Sequence, residues 1–172
     1  QGPANLQELC LTLGSRMVYF GKQADSIEQA REKLEEAIRS GKAIEKFKTF
    51  IAAQGGDASV AEDPSKLPTA SYTFEVKAKE DGFVSQIIAD EIGIAASLLG
   101  AGRLTKESEI DLAVGLVLNK KIGDRIQKGE SLVTIHSNRE DVSEVIEKIE
   151  HAYAISDKEV GKHPLIYDVI DE

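Results

Sequence analysis

Between Leu99 and Ser137 the chain alternates apolar runs with glycines at Gly100, Gly102, Gly115, Gly123 and Gly129. Glycine lets a chain reverse tightly and lets a second backbone come close. That density of glycine, with Val, Ile and Leu between, predicts a small curved sheet with tight corners.

The segments before this stretch read differently. Residues 1–54 have helical periodicity. Asn5 is the expected N-cap of a first helix whose apolar positions are Leu6, Leu9, Cys10, Leu13, Met17 and Phe20, with Gly21 as its stop. Ser26 with Gln29 forms a capping box ahead of Ile27, Ala30, Leu34, Ala37 and Ile38, and Gly41 ends that helix. Ile44, Phe47, Phe50 and Ile51 give a third apolar face, ending at Gln54-Gly55-Gly56. Three short helices enclose little core, so their apolar faces are expected to need a partner outside the chain. Residues 55–71, rich in Gly, Pro, Ser and Asp, are the expected linker.

From Tyr72 the pattern changes again. Tyr72, Phe74, Val76 and Ala78 alternate as in a half-buried strand. Asp81-Gly82 signals a hairpin into a second strand through Phe83-Val84 and Ile87-Ile88. A helix is expected over 91–99, strands over 110–118 and 131–135, and a polar-faced helix over 139–154 with Val142, Val145, Ile146 and Ile149 inward. Leu165-Ile166-Tyr167 is a short apolar run in the tail. Phe74 and Phe83 join Cys10, Phe47 and Phe50 as core candidates.

Charge excludes one class of partner. The formal net charge is −9, and binding to a phosphate backbone needs a basic face. The densest basic run is Lys120-Lys121, an ordinary turn pair. No apolar run approaches the ~20 residues of a membrane helix, and no secretory signal is seen. The one cysteine, Cys10, cannot build a disulfide framework and is expected buried and reduced, as in the cytoplasm. The chain opens Gln1-Gly2-Pro3 without an initiator Met, as after processing or as a start inside a longer protein.

No motif carries chemistry on its own. Gly100-Ala101-Gly102-Arg103 has the look of a phosphate cradle with Arg103 as anion ligand. Phosphate loops precede a helix, however, and this one follows one, so a glycine stop is favoured, with Arg103 pairing to Glu107, Glu109 or Asp111. Gln54-Gly55-Gly56-Asp57 is likewise a helix stop. His136, His151 and His163 are too scattered for a metal site or a triad. Glu140 and Asp141, like Glu107, Glu109 and Asp111, read as a solvated face rather than as general acids or bases.

Two function classes compete for the glycine-rich region: a cofactor carrier with a swinging arm, and the closing domain of a larger enzyme. Residues Asp81 to Ile87 and Lys121-Ile122-Gly123-Asp124-Arg125-Ile126-Gln127-Lys128-Gly129 resemble the half-motifs of biotinyl and lipoyl domains. Carrier domains also present a lysine at a hairpin tip within Met-Lys-Met or Asp-Lys-Ala. Here Lys120 and Lys121 are flanked by Asn119 and Ile122, and a long insertion separates the half-motifs. That resemblance is architectural.

A second resemblance runs end to end. Its anchors are Gly2-Pro3-Ala4-Asn5-Leu6-Gln7-Glu8-Leu9, Leu13-Gly14-Ser15-Arg16-Met17-Val18, Phe47-Lys48-Thr49-Phe50 and Lys66-Leu67-Pro68. They continue through Gly100-Ala101-Gly102-Arg103, Asp111-Leu112-Ala113-Val114-Gly115, Lys121-Ile122-Gly123-Asp124 and Ile135-His136-Ser137-Asn138. In order and spacing these resemble the C-terminal part of the thymidine/pyrimidine-nucleoside phosphorylase family. Phe47 with its flanking lysines and the tail from His163 to Ile170 look more like the broad-specificity pyrimidine enzymes than the thymidine-specific ones.

The resemblance implies reversible phosphorolysis of pyrimidine nucleosides by a cytoplasmic homodimer, with phosphate as co-substrate and a potassium-type monovalent cation. The family's phosphate loop, its pyrimidine-binding Arg, Ser and Lys, and its cation site lie upstream of where this chain begins, so no catalytic, substrate-binding or metal residue carries over. The expected fold is α+β: a helical segment of a larger α/β domain at 1–54, a linker at 55–71, and a C-terminal α+β domain at 72–172 with a glycine-cornered sheet of barrel-sandwich or hammerhead type. The expected partner is the rest of the same polypeptide, with no nucleic acid and no membrane. A thymidine-specific enzyme and an independent barrel-sandwich module are the alternatives.

Overall fold

The computed structural model describes residues 2–103 and 105–170. Gln1, at the start of the expected helical segment, Leu104, and the last two positions of the expected C-terminal domain lie outside the described residues. The chain divides into two compact units, Gln1–Lys66 with Pro164–Glu172, and Leu67–His163.

The first unit is helical: α1 (Ala4–Phe20), α2 (Ile27–Arg39) and α3 (Lys42–Ala53). The segment with linker-like composition adds two short 3-10 turns, Ala58–Ala61 and Pro64–Lys66. Helix α1 starts two residues earlier than the Asn5 cap predicts. Pro3, at φ −58°, precedes the first turn, while Asn5 Oδ1 accepts the N–H of its neighbour Leu6. Gly21 ends the helix, and Lys22 takes the reversal at φ 56°. Ser26 caps α2 by accepting the Gln29 N–H at 3.1 Å, and the Gln29 side chain accepts the N–H of Asp25 rather than of Ser26.

Helices α1 and α2 close on a narrow seam of Leu11, Ser15 and Ala30. Gly14 permits this approach: a Cβ there would lie 2.9 Å from Leu34 Cδ1. Glu8 and Arg31 flank the seam with a two-pronged ion pair at 2.9 and 2.7 Å. Contrary to expectation, Cys10 is exposed, as are Phe47 and Phe50. The helical period explains it: a side chain next to Leu11 points about 100° away from it, so Cys10 cannot share Leu11's buried face.

The second unit holds β1 (Tyr72–Lys77), β2 (Gly82–Ile87), α4 (Ala89–Leu99), β3 (Gly115–Leu118), β4 (Arg125–Ile126), β5 (Ser131–Ser137), α5 (Ser143–Ala152) and β6 (Tyr153–Ser156). Its strands form two antiparallel three-stranded sheets, β1-β5-β3 and β4-β2-β6. The fold is α+β. Beneath the two helices, Val76, Val84, Ala95, Leu99, Ile126, Val133, Ile135, Val145, Ile149 and Ala152 make one continuous core.

Three expectations are corrected here. Asp81-Gly82 is no hairpin, because β1 pairs with β5 and β2 with β4 and β6. The dipeptide is the corner where the chain leaves one sheet for the other. A Cβ on Gly82 would meet Ser156 O at 2.6 Å, so glycine there admits β6, and Asp81 Oδ1 accepts the Lys128 N–H at 2.7 Å. The strand expected over 110–118 begins only at Gly115, since Asp111 Oδ1 folds the preceding backbone by accepting the Ala113 N–H. The helix expected to run to 154 stops at Ala152. Tyr153 adopts an extended conformation (φ −99°, ψ 128°) and opens β6, whose apolar side chains the helical period had absorbed.

Candidate functional site

The Gly100 corner is a helix stop. Gly100 sits at φ 103°, and the N–H groups of Gly100 and Ala101 bond to Ser97 O and Ala96 O, a Schellman pattern. The groups left at such an end are carbonyls, which repel an anion. Arg103 is exposed. Of its expected partners, Asp111 is held instead by the Ala113 N–H and by Asn138 Nδ2 at 2.8 Å, contacts that keep its carboxyl below the usual range. Asn138 Oδ1 in turn accepts from the Ser71 backbone and hydroxyl. These side chains brace loop ends and present no reactive group.

The two carrier-like half-motifs do meet. Gly123 N–H bonds to Val84 O at 2.8 Å and Val84 N–H to Asp124 O at 3.0 Å, while Gly129 and Ala78 exchange bonds with Ala78 O and Glu130 O. Gly123 stands at φ 86°, under Lys162 and the Val160 carbonyl, where a Cβ would lie 2.9 and 3.0 Å from them. Asp124 accepts the Lys121 N–H and pairs with Lys162 Nζ at 3.0 Å, and both hold its carboxyl below the usual range. Glu130, held down in the same way by the Gln127 N–H and then by Lys120, ties the Lys120 ammonium at 3.0 Å. The Lys120 carbonyl accepts the Tyr153 hydroxyl at 3.1 Å. Lys120 is therefore fixed by both ends, the opposite of what a swinging arm requires.

A cleft of ≈ 190 Å³ lies between Lys77, Lys79, Leu132, Glu150, Tyr153 and Ile155. Pockets that enclose a drug-sized molecule run from about 300 Å³, so a nucleoside would not be enclosed. Lys79 is neutralised by Glu150 at 2.7 Å. The Tyr153 phenol is pushed up to about 12 by burial, so it stays neutral and cannot serve as a base near pH 7. His136 lies half-buried in β5 opposite Thr73 and Gly115, and His151 is exposed at the end of α5. Among the described residues no three His, Cys, Asp or Glu side chains converge on a metal position.

The bare feature of the molecule lies in the helical unit. Leu6, Leu13, Met17 and Phe20 on α1 are 54, 55, 74 and 74 % exposed. With Cys10 they recur at i, i+4, i+7, i+11 and i+14, one face of the helix, opposite Leu11 and Ser15. The only charged residues of α1, Glu8 and Arg16, are engaged elsewhere, with Arg31 and with the Thr12 carbonyl. Helix α2 differs: Glu28, Arg31, Glu32, Lys33, Glu35, Glu36 and Arg39 give it a charged outer surface. The sequence hinted at this through apolar positions all round α1, which a helix needs only when both of its faces are covered.

The chain thus combines a closed α+β unit with a helical unit that carries a bare apolar face. Comparison with known proteins is more specific. Residues 83–156 match the family described as pyrimidine nucleoside phosphorylase C-terminal domain. The chain is 61% identical over 170 residues to a pyrimidine-nucleoside phosphorylase of Geobacillus stearothermophilus, covering 99% of this chain and 39% of that protein. It is 57% identical over 172 residues to one from Bacillus subtilis and 55% to one from Staphylococcus aureus, covering 40% of each. The chain thus spans about 40% of the length of these curated relatives, and the resemblance read from its motifs, to the C-terminal part of this family, is upheld along its whole length. No described helix is long and apolar enough to cross a membrane.

Proposed function

We propose that the chain is the C-terminal portion of a pyrimidine-nucleoside phosphorylase that cleaves uridine- and thymidine-type nucleosides. In this reaction an oxygen of phosphate bonds to the anomeric carbon, the bond from that carbon to the pyrimidine nitrogen breaks, and pentose 1-phosphate and the free base are released. The observation that carries the reading is end-to-end identity of 55 to 61% to proteins of that name. The phosphate site, the pyrimidine site and the monovalent cation are assigned to the part of the polypeptide upstream, and this portion is structural: it braces the larger domains as they close on substrate. The enzyme is read as a cytoplasmic homodimer.

The test is phosphate-dependent release of uracil and thymine, followed by chromatography. The full-length polypeptide is expected to release both bases, and the purified 172-residue chain neither. Release by the short chain alone would overturn the assignment of the chemistry upstream. Failure of the full polypeptide with every pyrimidine nucleoside would overturn the function.

A further inference from the structure

We propose that Asp81-Gly82 is a site of spontaneous backbone modification, where aspartate converts to an isoaspartyl link whenever the short β4 lets go of Gly82. Of the aspartates in the chain only Asp81 precedes a glycine, and no asparagine does. The missing Cβ leaves the Gly82 nitrogen unhindered beside the neighbouring carboxyl carbon. Asp81 is exposed, so water reaches that carboxyl.

The chemistry is internal and needs no co-reactant but water. The Gly82 amide nitrogen bonds to Asp81 Cγ, and the amide proton leaves with the carboxyl's hydroxyl as water, which closes a cyclic imide. Water then reopens the ring at one of its two carbonyls. Breaking the bond to Cγ restores aspartate. Breaking the bond to the α-carbonyl carbon leaves Gly82 joined through Cγ, so that Asp81 Cβ enters the main chain and a free α-carboxylate stands beside it.

Two holds oppose the attack. Asp81 Oδ1 accepts the Lys128 N–H at 2.7 Å, and Gly82 pairs with Ile126 in the β2–β4 ladder. Yet β4 is only Arg125–Ile126, and the β2–β6 register begins at Phe83. Gly82 therefore lies at the end of one ladder and outside the other, and such ends open locally at small cost. The conversion also prevents reclosure. A Cβ on Gly82 would already lie 2.6 Å from Ser156 O, so a main chain lengthened at this corner cannot return to the same seat, and β2 is left frayed from β4.

The test keeps the full-length polypeptide in neutral buffer for weeks, native and in denaturant. Its peptides are then separated by chromatography and assayed with an isoaspartyl methyltransferase and labelled methyl donor. A methyl-accepting isomer of the Asp81 peptide should accumulate in the native sample, on the order of tenfold more slowly than in denaturant. A native sample that forms none while the denatured one converts would overturn the proposal, as would conversion at another aspartate ahead of Asp81. Equal native and denatured rates would overturn the gating by β4. Two variants that keep an acceptor for Lys128 give independent measures. Asp81→Asn should form the same imide faster, with ammonia leaving in place of water and a mass gain on hydrolysis. Asp81→Glu, which would need a larger ring, should abolish methyl acceptance in this peptide, and acceptance at the wild-type level would refute the assignment.

Discussion

The two units solve the burial of apolar surface in opposite ways. In the α+β unit, residues from two sheets and two helices enclose each other, and Val84, Val133, Ile135 and Ile149 are wholly inaccessible. Among the described residues of the helical unit only Leu11, Ser15 and Ala30 are buried, while Met17 and Phe20 stand in solvent. The difference teaches that compactness of the chain trace is not completeness of a core. One unit has the anatomy of a domain. The other has the anatomy of a layer awaiting its neighbour.

The sharpest way to test the contrast is to truncate one apolar residue in each unit. Ile135→Ala should destabilise the α+β unit by about 2–5 kcal/mol, the range for a large-to-small change in a closed core. Met17→Ala in the isolated chain should stay within about 0.5 kcal/mol, as for an exposed side chain. Denaturant unfolding with hydrogen exchange read unit by unit separates the two, and equal effects would erase the distinction.

The corners come next in size. Gly82→Ala would press a methyl group against the Ser156 carbonyl, and strain of this kind costs about 1–3 kcal/mol. The loss should appear as faster exchange in β6 and β2, with α1 unchanged.

Titration probes the α+β unit from both sides of neutrality. Asp111, Asp124 and Asp141 lie below their ordinary 3.8 in the folded unit, through backbone N–H donors first. A depressed folded value adds stability that is present above 3.8 and lost as pH falls through the folded value. Acid should therefore loosen the α+β unit below pH 4 or so, and Asp124→Asn should flatten that slope. Tyr153 runs the other way. Its folded value is raised by burial from 10.0 to about 12, so the unfolded chain ionises first and stability falls between those two values. Tyr153→Phe should flatten the alkaline slope between those values, as read by the denaturation midpoint against pH.

Within the α+β unit the smallest effect is expected at the Lys162 to Asp124 pair, which is largely exposed on the lysine side. Lys162→Ala should cost at most about 1 kcal/mol. A larger loss would mean that the tail passing over Gly123 holds the turn in place.

Much of this was legible from the residues, for local reasons. Ser26 capping, the Gly100 stop and the inward face of α5 each depend on a few neighbouring side chains. The family resemblance needed only order and spacing. What stayed hidden was non-local. Asp81-Gly82 reads as a hairpin because that dipeptide turns chains, and only the β6 carbonyl above Gly82 shows that it turns from one sheet into another. Cys10 reads as buried because it sits among leucines, and only the α1 seam on Leu11 shows which side of the helix has a neighbour. Nor could the tethering of Lys120 by Glu130 and Tyr153 be argued from the sequence.

The exchange of strands between sheets has a consequence for how the chain is made. Ser71 bonds to Asn138 and Ser85 to Ala154 across separations of 67 and 69 residues, whereas Arg31 reaches Glu8 across 23. Distant pairings form slowly because loop closure must come first. On a ribosome adding about 5–20 residues per second, the α1 and α2 hairpin can form seconds before β6 emerges to complete its sheet. During that interval β1 and β2 are open edges of the kind that recruit other chains. The strands that emerge after β1 and β2, above all β5 and β6, thus decide whether this unit closes on itself or aggregates.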